Sequence, residues 1–544
     1  MSNSQSFHRL LPAILLTLAT LPAAAQSFRV QCPTSTITHP TAANNNAEPT
    51  YIGPTFTGTA GYPAAPAHVN GAIKCQQISG GDGYAAMGDG TQTYLFSFGP
   101  LSGLAKIATG QPGTDTPLEF NTVYDPTVKP PLAPGDPATT IGAKPDSNGF
   151  MHPLTLAQLT QLGGFYNGAI GQVPDPESLP TPGLIDGHVD PRQIMDVGVM
   201  NGNIPAPLMA IDEDDEFFLT LTNVGMIMRP DLFEQHTVHF HGYPNASAFY
   251  DGVPDASVAI NIGASFTYYY LAPDAGTYFW HCHITPPEHL QMGMVGQLYV
   301  RPRQNRVTGN LYAALQTQQL DLRTACNSAT DILCSNPLPK VNTGATGGGK
   351  YAYNDGDGST AYDVEYPLQI HGFDPNFHFV GMTFNPEGFS DMKDKYFLLN
   401  GRSYPDTVTP GPLQTQSSDG VNHFSQPLPA IINIKAGQRA LLRISDLDVS
   451  EYQTLASLGI PMKVIGYNAK LLRDQAGNNM YYTTNSITLG GGESLDVILD
   501  TSVPKSDGTA YRAGETYYLY TPNLDHLSND AENFGGLMTE VHVL

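Results

Sequence analysis

Short apolar runs, separated by clusters of Gly, Pro and Asp, recur along most of this chain. Runs in the first half that are rich in aromatic and β-branched residues, a composition typical of β-strands, lie at 94–98, 217–222, 266–271 and 297–300. A second series begins near residue 364, with runs at 431–435, 440–444, 494–499 and 516–520. Because short strands bounded by turn residues pack as sandwiches, we predict an all-β chain of two β-sandwich units.

The segments between these runs set the predicted domain limits. Residues 109–185 are dense in Pro, Gly and Asp, which indicates a long irregular insertion within the first unit. Gly-rich stretches within 316–363 indicate a linker. We therefore expect the first unit to extend over 26–315 and the second over 364–544.

The amino terminus has the features of a targeting segment. His8 and Arg9 precede a short apolar run, and three alanines precede Gln26. This pattern predicts a signal peptide at 1–25, and the run is too short to favour the alternative of a membrane anchor. We expect an exported protein, in a bacterial periplasm or outside the cell, that does not span a membrane.

Composition narrows the class of protein further. Among the 544 residues, 49 Asp and Glu outnumber 25 Lys and Arg, and the formal net charge is −24. Nucleic acids require a basic surface, so we expect no nucleic-acid partner. The 41% hydrophobic content excludes a disordered chain, and 55 Gly with 45 Pro argue against helical repeats.

Five cysteines are present, and oxidising compartments favour disulfides. Cys32 with Cys75, and Cys326 with Cys334, are the pairs that lie close in sequence, although other pairings stay open. Cys282 is then left over, and its neighbours indicate a different role.

Six of the 16 histidines lie within residues 236–289, and two of them flank Cys282 in a His-Cys-His triplet. Successive side chains on a strand point to opposite faces. His281 and His283 therefore share one face, whereas Cys282 points to the other. His239 and His241 share a face for the same reason. This alternation predicts two metal environments, one on each side of the triplet.

The two faces carry different donors. The candidates on the Cys282 face are His236, Cys282, His289 and Met294. Two imidazoles, a thiolate and a weak thioether are the ligands of a blue-copper electron-transfer site. The candidates on the opposite face are His239, His241, His281 and His283. Copper or zinc suits four imidazoles, and copper is favoured beside a blue site. The alternatives are histidines packed in a sandwich core and a structural zinc site, but neither needs donors on both strand faces.

Two motifs in the first unit resemble the copper motifs of the multicopper oxidase family. They are His236-Thr-Val-His239-Phe-His241-Gly242 and Gly276-Thr-Tyr-Phe-Trp-His281-Cys282-His283. Further stretches are similar to that family's first and copper-free second cupredoxin domains, at 251–254, 263–268, 397–401, 436–439 and 491–497. The resemblance covers about 200–544 and implies two cupredoxin-like Greek-key domains, the second without copper motifs. The insertion at 109–185 has no counterpart in it.

The resemblance also implies a role for each matching residue. The residues that match type 1 copper ligands are His236, Cys282, His289 and Met294. His239 matches a type 2 ligand, and the residues that match a type 3 pair are His241, His281 and His283. Asp251 stands where the family has an acid implicated in proton delivery to the oxygen-reducing centre, with a plain Asp-Gly turn as the alternative.

Two features depart from the family pattern. Cys282 and His289 are seven positions apart, longer than is usual, and Pro286-Pro287 accounts for the extra length of a loop that we expect still to close. A complete trinuclear cluster in the family needs eight histidines, and this chain offers four. The second unit has no His-x-His pair. Two copies related by a two-fold axis could supply eight, so we expect a homo-oligomer.

These observations predict a copper oxidase. A small reductant, a metal ion or a redox protein would supply single electrons to the type 1 copper. Cys282 would pass them to His281 and His283, and dioxygen would be the acceptor. The first alternative is a blue-copper electron carrier or copper-binding protein without oxidase activity. The second is a copper nitrite reductase, a family that typically has an acid in place of His239 and lacks His283.

Overall fold

A computed structural model describes residues 73–100, 143–145, 151–153, 202–320, 336–380, 388–416 and 422–544, apart from short gaps at 227–228, 230–231, 233, 244–249, 263, 273 and 412. The predicted signal peptide at 1–25 lies outside the described residues, and so does most of the predicted insertion at 109–185. The side chains of Cys32, Cys75, Cys326 and Cys334 lie outside them too. Export and both disulfides therefore stay predictions.

The first β-sandwich lies in the first half of the described chain. The strands up to residue 301 are β1 (Ile73–Ala86), β2 (Gln92–Pro100), β3 (Ala143–Pro145), β4 (Met151–Pro153), β5 (Met209–Asp212), β6 (Glu216–Gly225), β7 (His239–His241), β8 (Ser265–Leu271), β9 (Gly276–His281) and β10 (Val295–Arg301). β3 and β4 form a separate hairpin. The others form two sheets, in the orders β2-β1-β6-β8 and β5-β10-β9-β7.

These two sheets bury a common apolar core. Leu219 and Leu221 of β6 and Tyr268 of β8 have no exposed surface within it. Two buried threonines of these strands form a hydrogen bond, because the hydroxyls of Thr220 and Thr267 lie 2.8 Å apart. The runs predicted as strands at 217–222 and 266–271 are thus confirmed as β6 and β8.

Helices are few in the described chain. α1 (Pro286–Gln291) lies between β9 and β10, and α2 (Leu311–Gln318) follows β10. Prolines at the first positions of α1 cost no hydrogen bond, since the first amides of a helix have no partner within it. The predicted loop is therefore partly a helix. Single helical turns of 3₁₀ or π type lie at Arg303–Arg306, Asn376–Val380, Phe389–Asp391, Asp406–Val408 and Leu524–His526.

The described end of the predicted linker, at 336–363, is packed rather than extended. Its strands β11 (Lys350–Tyr351) and β12 (Ala361–Tyr362) pair with each other. Asn354 donates a hydrogen bond to Glu213, and Gln304 donates one to Asp355. This part of the connection therefore contacts the first sandwich. The domain limits themselves stay predictions.

The second β-sandwich follows this connection. Its strands are β13 (Val364–Phe373), β14 (Tyr396–Leu399), β15 (Leu413–Gln416), β16 (Asn422–Ser425), β17 (Ile432–Ile434), β18 (Arg439–Asp446), β19 (Gln453–Leu458), β20 (Met462–Tyr467), β21 (Lys470–Leu471), β22 (Tyr482–Thr484), β23 (Ser486–Leu489), β24 (Glu493–Asp500), β25 (Thr516–Tyr520) and β26 (Met538–Val543). One sheet has the order β14-β13-β18-β24-β20-β21, with β22 on β20, and the other β17-β26-β25-β19-β23. The all-β prediction of two cupredoxin-like Greek-key sandwiches is confirmed.

The two sandwiches repeat one topology. β1 runs parallel to β6 and β5 to β10, just as β13 runs parallel to β18 and β17 to β26. β19 and β25 therefore correspond to β7 and β9. The pair His239–His281 of the first sandwich has its counterpart in Ala456–Tyr520 of the second. The second sandwich thus has the same fold, with no imidazole at either of these two positions.

A buried ion cluster joins the sandwiches. Arg443 of β18 has no exposed surface, and its Nε lies 3.1 Å from Glu365 Oε2. Its Nη1 lies 3.6 Å from Asp496 Oδ1 and donates to Thr277 Oγ1 of β9. Burial alone would raise the pKa of Glu365, but the guanidinium groups of Arg443 and Arg301 outweigh it and lower that pKa to about 2. The charged form of Glu365 therefore stabilises the folded chain.

No helix among the described residues is long and apolar enough to cross a membrane.

Replacing Arg443 should strongly destabilise the protein. In Arg443→Met the carboxylate of Asp496 would stay buried without a countercharge and that of Glu365 would keep only Arg301, so we expect the free energy of unfolding in urea to fall by about 3–5 kcal/mol. Arg439→Met on the same strand is the matched control. Arg439 is 40% exposed and 3.6 Å from Asp500, and its loss should cost less than about 1 kcal/mol.

The pH dependence checks the same cluster. Because the pKa of Glu365 is depressed on folding, its contribution is complete above pH 4.5 and is lost as the pH falls toward about 2. Arg443→Met should weaken this acid-induced loss. Equal destabilisation by both arginine variants would contradict the interpretation.

Candidate metal centres

Two neighbouring strands carry three of the eight predicted donors. β7 pairs antiparallel with β9, so that His239 lies opposite His281 and His241 lies opposite Phe279. Cys282 directly follows β9. Because side chains alternate along a strand, the imidazoles gather on one face and Cys282 turns to the other.

Three donors converge on the Cys282 face. The ligand atoms of His236, Cys282 and His289 all lie within 4.8 Å of one another, and all three side chains are buried. His289 Nδ1 is 3.4 Å from Cys282 Sγ. The ring of Phe96 packs edge-on against His289 at 5.1 Å between centroids, and that of Phe98 lies 6.4 Å from His236. These phenyl rings help to shield the donors from water.

Met294 approaches the same group through the main chain. Its amide donates to the carbonyl of His289 at 2.9 Å, and its carbonyl accepts from the amide of Cys282 at 3.0 Å. Met294 has no exposed surface and lies in the same apolar core as Cys282. The turn after α1 therefore brings the predicted fourth ligand back to the cysteine.

The chemistry of this donor set fits a bound metal. Neither ring nitrogen of His236 has a hydrogen-bond partner, nor does Nε2 of His289, which is 3.8 Å from the nearest oxygen of Glu234. Burial lowers the pKa of His236 far below its usual value and that of His289 to about 3, so both imidazoles are neutral. Burial raises the pKa of Cys282 to about 11. A metal ion between these side chains would take up one orphaned nitrogen of His236 and stabilise the thiolate.

A second group lies on the opposite face. His239, His241 and His281 have ligand atoms within 4.8 Å of one another. The ring of His283 lies 4.9 Å from that of His239 and 5.6 Å from that of His281, between centroids. Burial lowers the pKa of His239, lowers that of His241 to about 4 and lowers that of His281 to about 3. These three imidazoles are therefore in the neutral form that metals bind.

Hydrogen bonds orient two of these rings. His239 Nδ1 is 2.6 Å from the carbonyl of Asp251, and His281 Nδ1 is 2.7 Å from the carbonyl of Cys282. Since a carbonyl only accepts, each Nδ1 carries the proton and each Nε2 keeps its lone pair. Metal-binding histidines commonly have this arrangement, in which the second nitrogen is held by the main chain.

Asp251 lies at this second group. Its Oδ1 is 3.7 Å from His239 Nδ1, and its side chain is 27% exposed. Gly252 has φ +84°, and a Cβ there would meet the carbonyl of Val238 at 2.4 Å. The Asp-Gly turn of the alternative interpretation is therefore present, and it also carries the carboxylate to the imidazoles.

A cavity of about 550 Å³ opens beside the second group, between the two sandwiches. His241, His281 and Leu290 line it from the first sandwich. Its other wall comes from residues 447–452 and 490–493 of the second. Gly492 approaches so closely that a Cβ there would lie 3.5 Å from His241 Nε2. The second sandwich thus covers part of the imidazole group without contributing an imidazole.

Three histidines that the structure describes in the second sandwich have other partners. His371 and His378 point to Gln291, which ends α1. His526 is held by Gln453 and Glu451. Within the described chain, the groups of three or more His, Cys, Asp or Glu that could hold a metal ion are the two already given.

Three residues around these groups were not predicted from the sequence. The amide of Thr237 donates to Cys282 Sγ at 3.5 Å, and its hydroxyl accepts from the amide of His283. Glu234 lies beside His289, and Gln291 anchors α1 to the second sandwich. Their only signal in the sequence was proximity to a donor.

Both donor groups fall within one segment that matches a known family. Residues 186–305 match the sequence model of the multicopper oxidase family. This segment is similar to a multicopper oxidase domain. Copper is the cofactor of that family, and the two donor groups within this segment fit it.

Named relatives match about a fifth of the chain. The chain is 34% identical over 109 residues to laccase abr2 of Aspergillus fumigatus, a match that covers 20% of this chain and 17% of the laccase. It is 33% identical over 114 residues to the copper-containing nitrite reductase of Rhizobium meliloti, covering 20% of this chain and 27% of that protein. The chain therefore spans less than a third of either relative. The crystal structure of a blue copper oxidase from Nitrosomonas europaea covers 63% of this chain and 78% of its own, at 22% identity and a TM-score of 0.41.

Cupric ion should stabilise the metal-free protein through the Cys282 group. In His236→Gln one ligand atom is lost, so we expect the affinity for copper to fall at least tenfold, which is about 1.4 kcal/mol of binding free energy. The copper-induced rise in melting temperature should shrink accordingly. His526→Gln is the control, because His526 is equally buried but has hydrogen bonds to both nitrogens.

The control should melt earlier without copper and keep the full rise with it. Calorimetry with and without cupric ion measures both quantities. An unchanged copper response in His236→Gln would remove that residue from the ligand set.

Proposed function

We propose that this chain is an exported copper oxidoreductase of the multicopper oxidase type, which takes single electrons from a reductant and reduces dioxygen to water. The observation that carries the proposal is the position of two donor groups on opposite faces of His281-Cys282-His283, inside one segment that matches the multicopper oxidase family. Copper, when bound, supplies the reversible one-electron chemistry that amino-acid side chains lack.

The donor groups have separate roles. We assign type 1 copper to His236, Cys282, His289 and Met294. We assign the oxygen-reducing type 2 and type 3 centre to His239, His241, His281 and His283. Burial of the first group keeps water from it, whereas the second opens to a cavity of about 550 Å³ that dioxygen can enter.

Cys282 joins the two groups covalently. Peptide bonds connect it directly to His281 and to His283, so the path from its sulfur to either imidazole contains no gap through space. Thr237 supports this geometry, because it donates its amide to Cys282 and accepts from His283. The fixed backbone is what this chain contributes to electron passage.

The reductant approaches near His289 in this proposal. The ring of His289 is 1% exposed, but Glu234 beside it is 34% exposed. Its carboxylate, 3.8 Å from His289 Nε2, favours a cationic partner such as a metal ion or the basic face of a redox protein. A small neutral reductant could approach from the same side.

Asp251 is our candidate for proton supply. Reduction of dioxygen to water consumes protons, and Asp251 is exposed enough to exchange them with solvent. Its carboxylate is also 3.7 Å from His239 Nδ1. A carboxyl group that reaches both solvent and the imidazoles can take up a proton from solvent and release it beside the imidazoles.

The optical spectrum and oxygen uptake of the copper-loaded protein test this function together. We expect an intense red thiolate-to-copper band, a near-ultraviolet shoulder from a bridged pair, and oxygen uptake with a phenolic reductant or ferrous ion. Cys282→Ser should abolish the red band and the uptake. His241→Ala should keep the red band and lower the uptake at least 100-fold, because it removes an imidazole from the second group only.

The alternatives give different results in the same assays. A red band without oxygen uptake would favour a blue-copper electron carrier. Nitrite reduction in place of oxygen uptake would favour a nitrite reductase, a function suggested by the relative from Rhizobium meliloti. Absence of the red band would reject the type 1 assignment.

Oligomer formation is part of the proposal. Four imidazoles are half of what a trinuclear cluster of this family needs, so we propose that a second copy supplies the rest. His239 and His283 are partly exposed and are not among the residues that line the cavity. A second copy could therefore reach them without displacing the second sandwich.

Native mass and copper content test the shared centre. We expect an oligomer by light scattering, with more than one copper per chain in the oligomeric fraction. Replacing the partly exposed His283 by Ala should reduce the copper content without changing the red band. A monomer with oxygen uptake and the near-ultraviolet shoulder would contradict the need for a second copy.

A further inference from the structure

We propose that Gln291 is a positioning residue through which the copper-free second sandwich sets the geometry of the Cys282 metal centre. The inference rests on the proposed type 1 site for the identity of that centre. Gln291 itself holds no metal in this proposal, and it acts on His289 and Met294 through the backbone.

Four hydrogen bonds tie Gln291 to the second sandwich. Its carbonyl oxygen accepts from His371 Nε2 at 3.0 Å. Its Oε1 accepts from the amide of Asp374 at 3.1 Å and from His378 Nε2 at 3.0 Å. Its Nε2 donates to Asp394 Oδ1 at 2.5 Å. Gln291 is 1% exposed, so water cannot replace these partners.

The opposite side of the same turn holds metal ligands. Gln291 is the last residue of α1, two positions after His289 and three before Met294. The turn is closed by hydrogen bonds from Gly293 to Leu290 and from Met294 to His289, at 2.9 Å each. A shift of Gln291 therefore moves both ligands relative to Cys282.

The first sandwich confines this turn from the other direction. Gly293 has φ +105°, and a Cβ there would lie 2.8 Å from Ser97 Oγ and 3.0 Å from the carbonyl of Asn203. The turn is thus held between the two sandwiches, and Gln291 attaches it to the second sandwich. Other buried amides join the sandwiches too, and that of Gln297 does so from β10, outside the ligand turn.

Gln297 is such an amide, and it provides a matched control. It lies on β10 and is 3% exposed. Its Nε2 donates to the carbonyl of Arg443 at 2.9 Å and to Ser445 Oγ at 2.8 Å. Gln291→Met and Gln297→Met therefore each remove one buried amide from the same interface at nearly constant volume.

The test compares the copper-loaded full chain with both variants. We record the position of the red band, the copper hyperfine splitting in electron paramagnetic resonance, the reduction potential and the melting temperature. Both variants should melt earlier. Gln291→Met alone should shift the band, the splitting and the potential, and it should bind copper about tenfold more weakly.

A milder variant covers the case in which Gln291→Met does not fold. His378→Asn removes one of the four contacts and leaves Gln291 in place, and it should shift the same spectroscopic quantities less. Spectra unchanged in every variant that folds, or shifted equally by Gln291→Met and Gln297→Met, would overturn the positioning role. A wild-type protein without the red band would instead overturn the proposed function.

Discussion

Both donor groups depend on the placement of His281 and Cys282 on opposite sides of the β7–β9 strand pair. Cys282, which directly follows β9, joins the donor group of His236 and His289, whereas its neighbour His281 joins the donor group of the other histidines. One triplet therefore borders two donor groups at once. The register between the strands completes each group, since it sets His239 against His281 and leaves His236 free to meet Cys282.

Burial gives these groups their chemical character. The low polarity around His236 and His289 keeps both imidazoles neutral and leaves nitrogens without hydrogen-bond partners. An unpaired buried polar group is costly, so this arrangement stabilises the protein only when something binds there. The second group differs, because the main chain fixes two of its rings and a cavity opens beside it.

The second sandwich is more than a repeat of the first without metal. Its strands follow the same order, but Ala456 and Tyr520 stand at the positions of His239 and His281. It contributes one wall of the cavity and hydrogen bonds that hold the turn after α1. Residues 447–452 and 490–493 shape the cavity, and the contacts to Gln291 fasten the turn that carries His289. A buried Arg443 holds the two sandwiches together at β9.

The strands, the two-sandwich architecture and the candidate donor residues were predictable from the sequence, because strand periodicity and motif spacing are local patterns. The runs at 217–222 and 266–271 became strands as predicted, and the alternation around Cys282 placed the donors on separate faces. Only the tertiary structure decided that Pro286 begins a helix and that the second sandwich covers His241. It alone also decided that Gln291 meets His371, 80 positions later. Such contacts join residues far apart in the chain, and no local pattern of polar and apolar positions specifies which distant surfaces will meet.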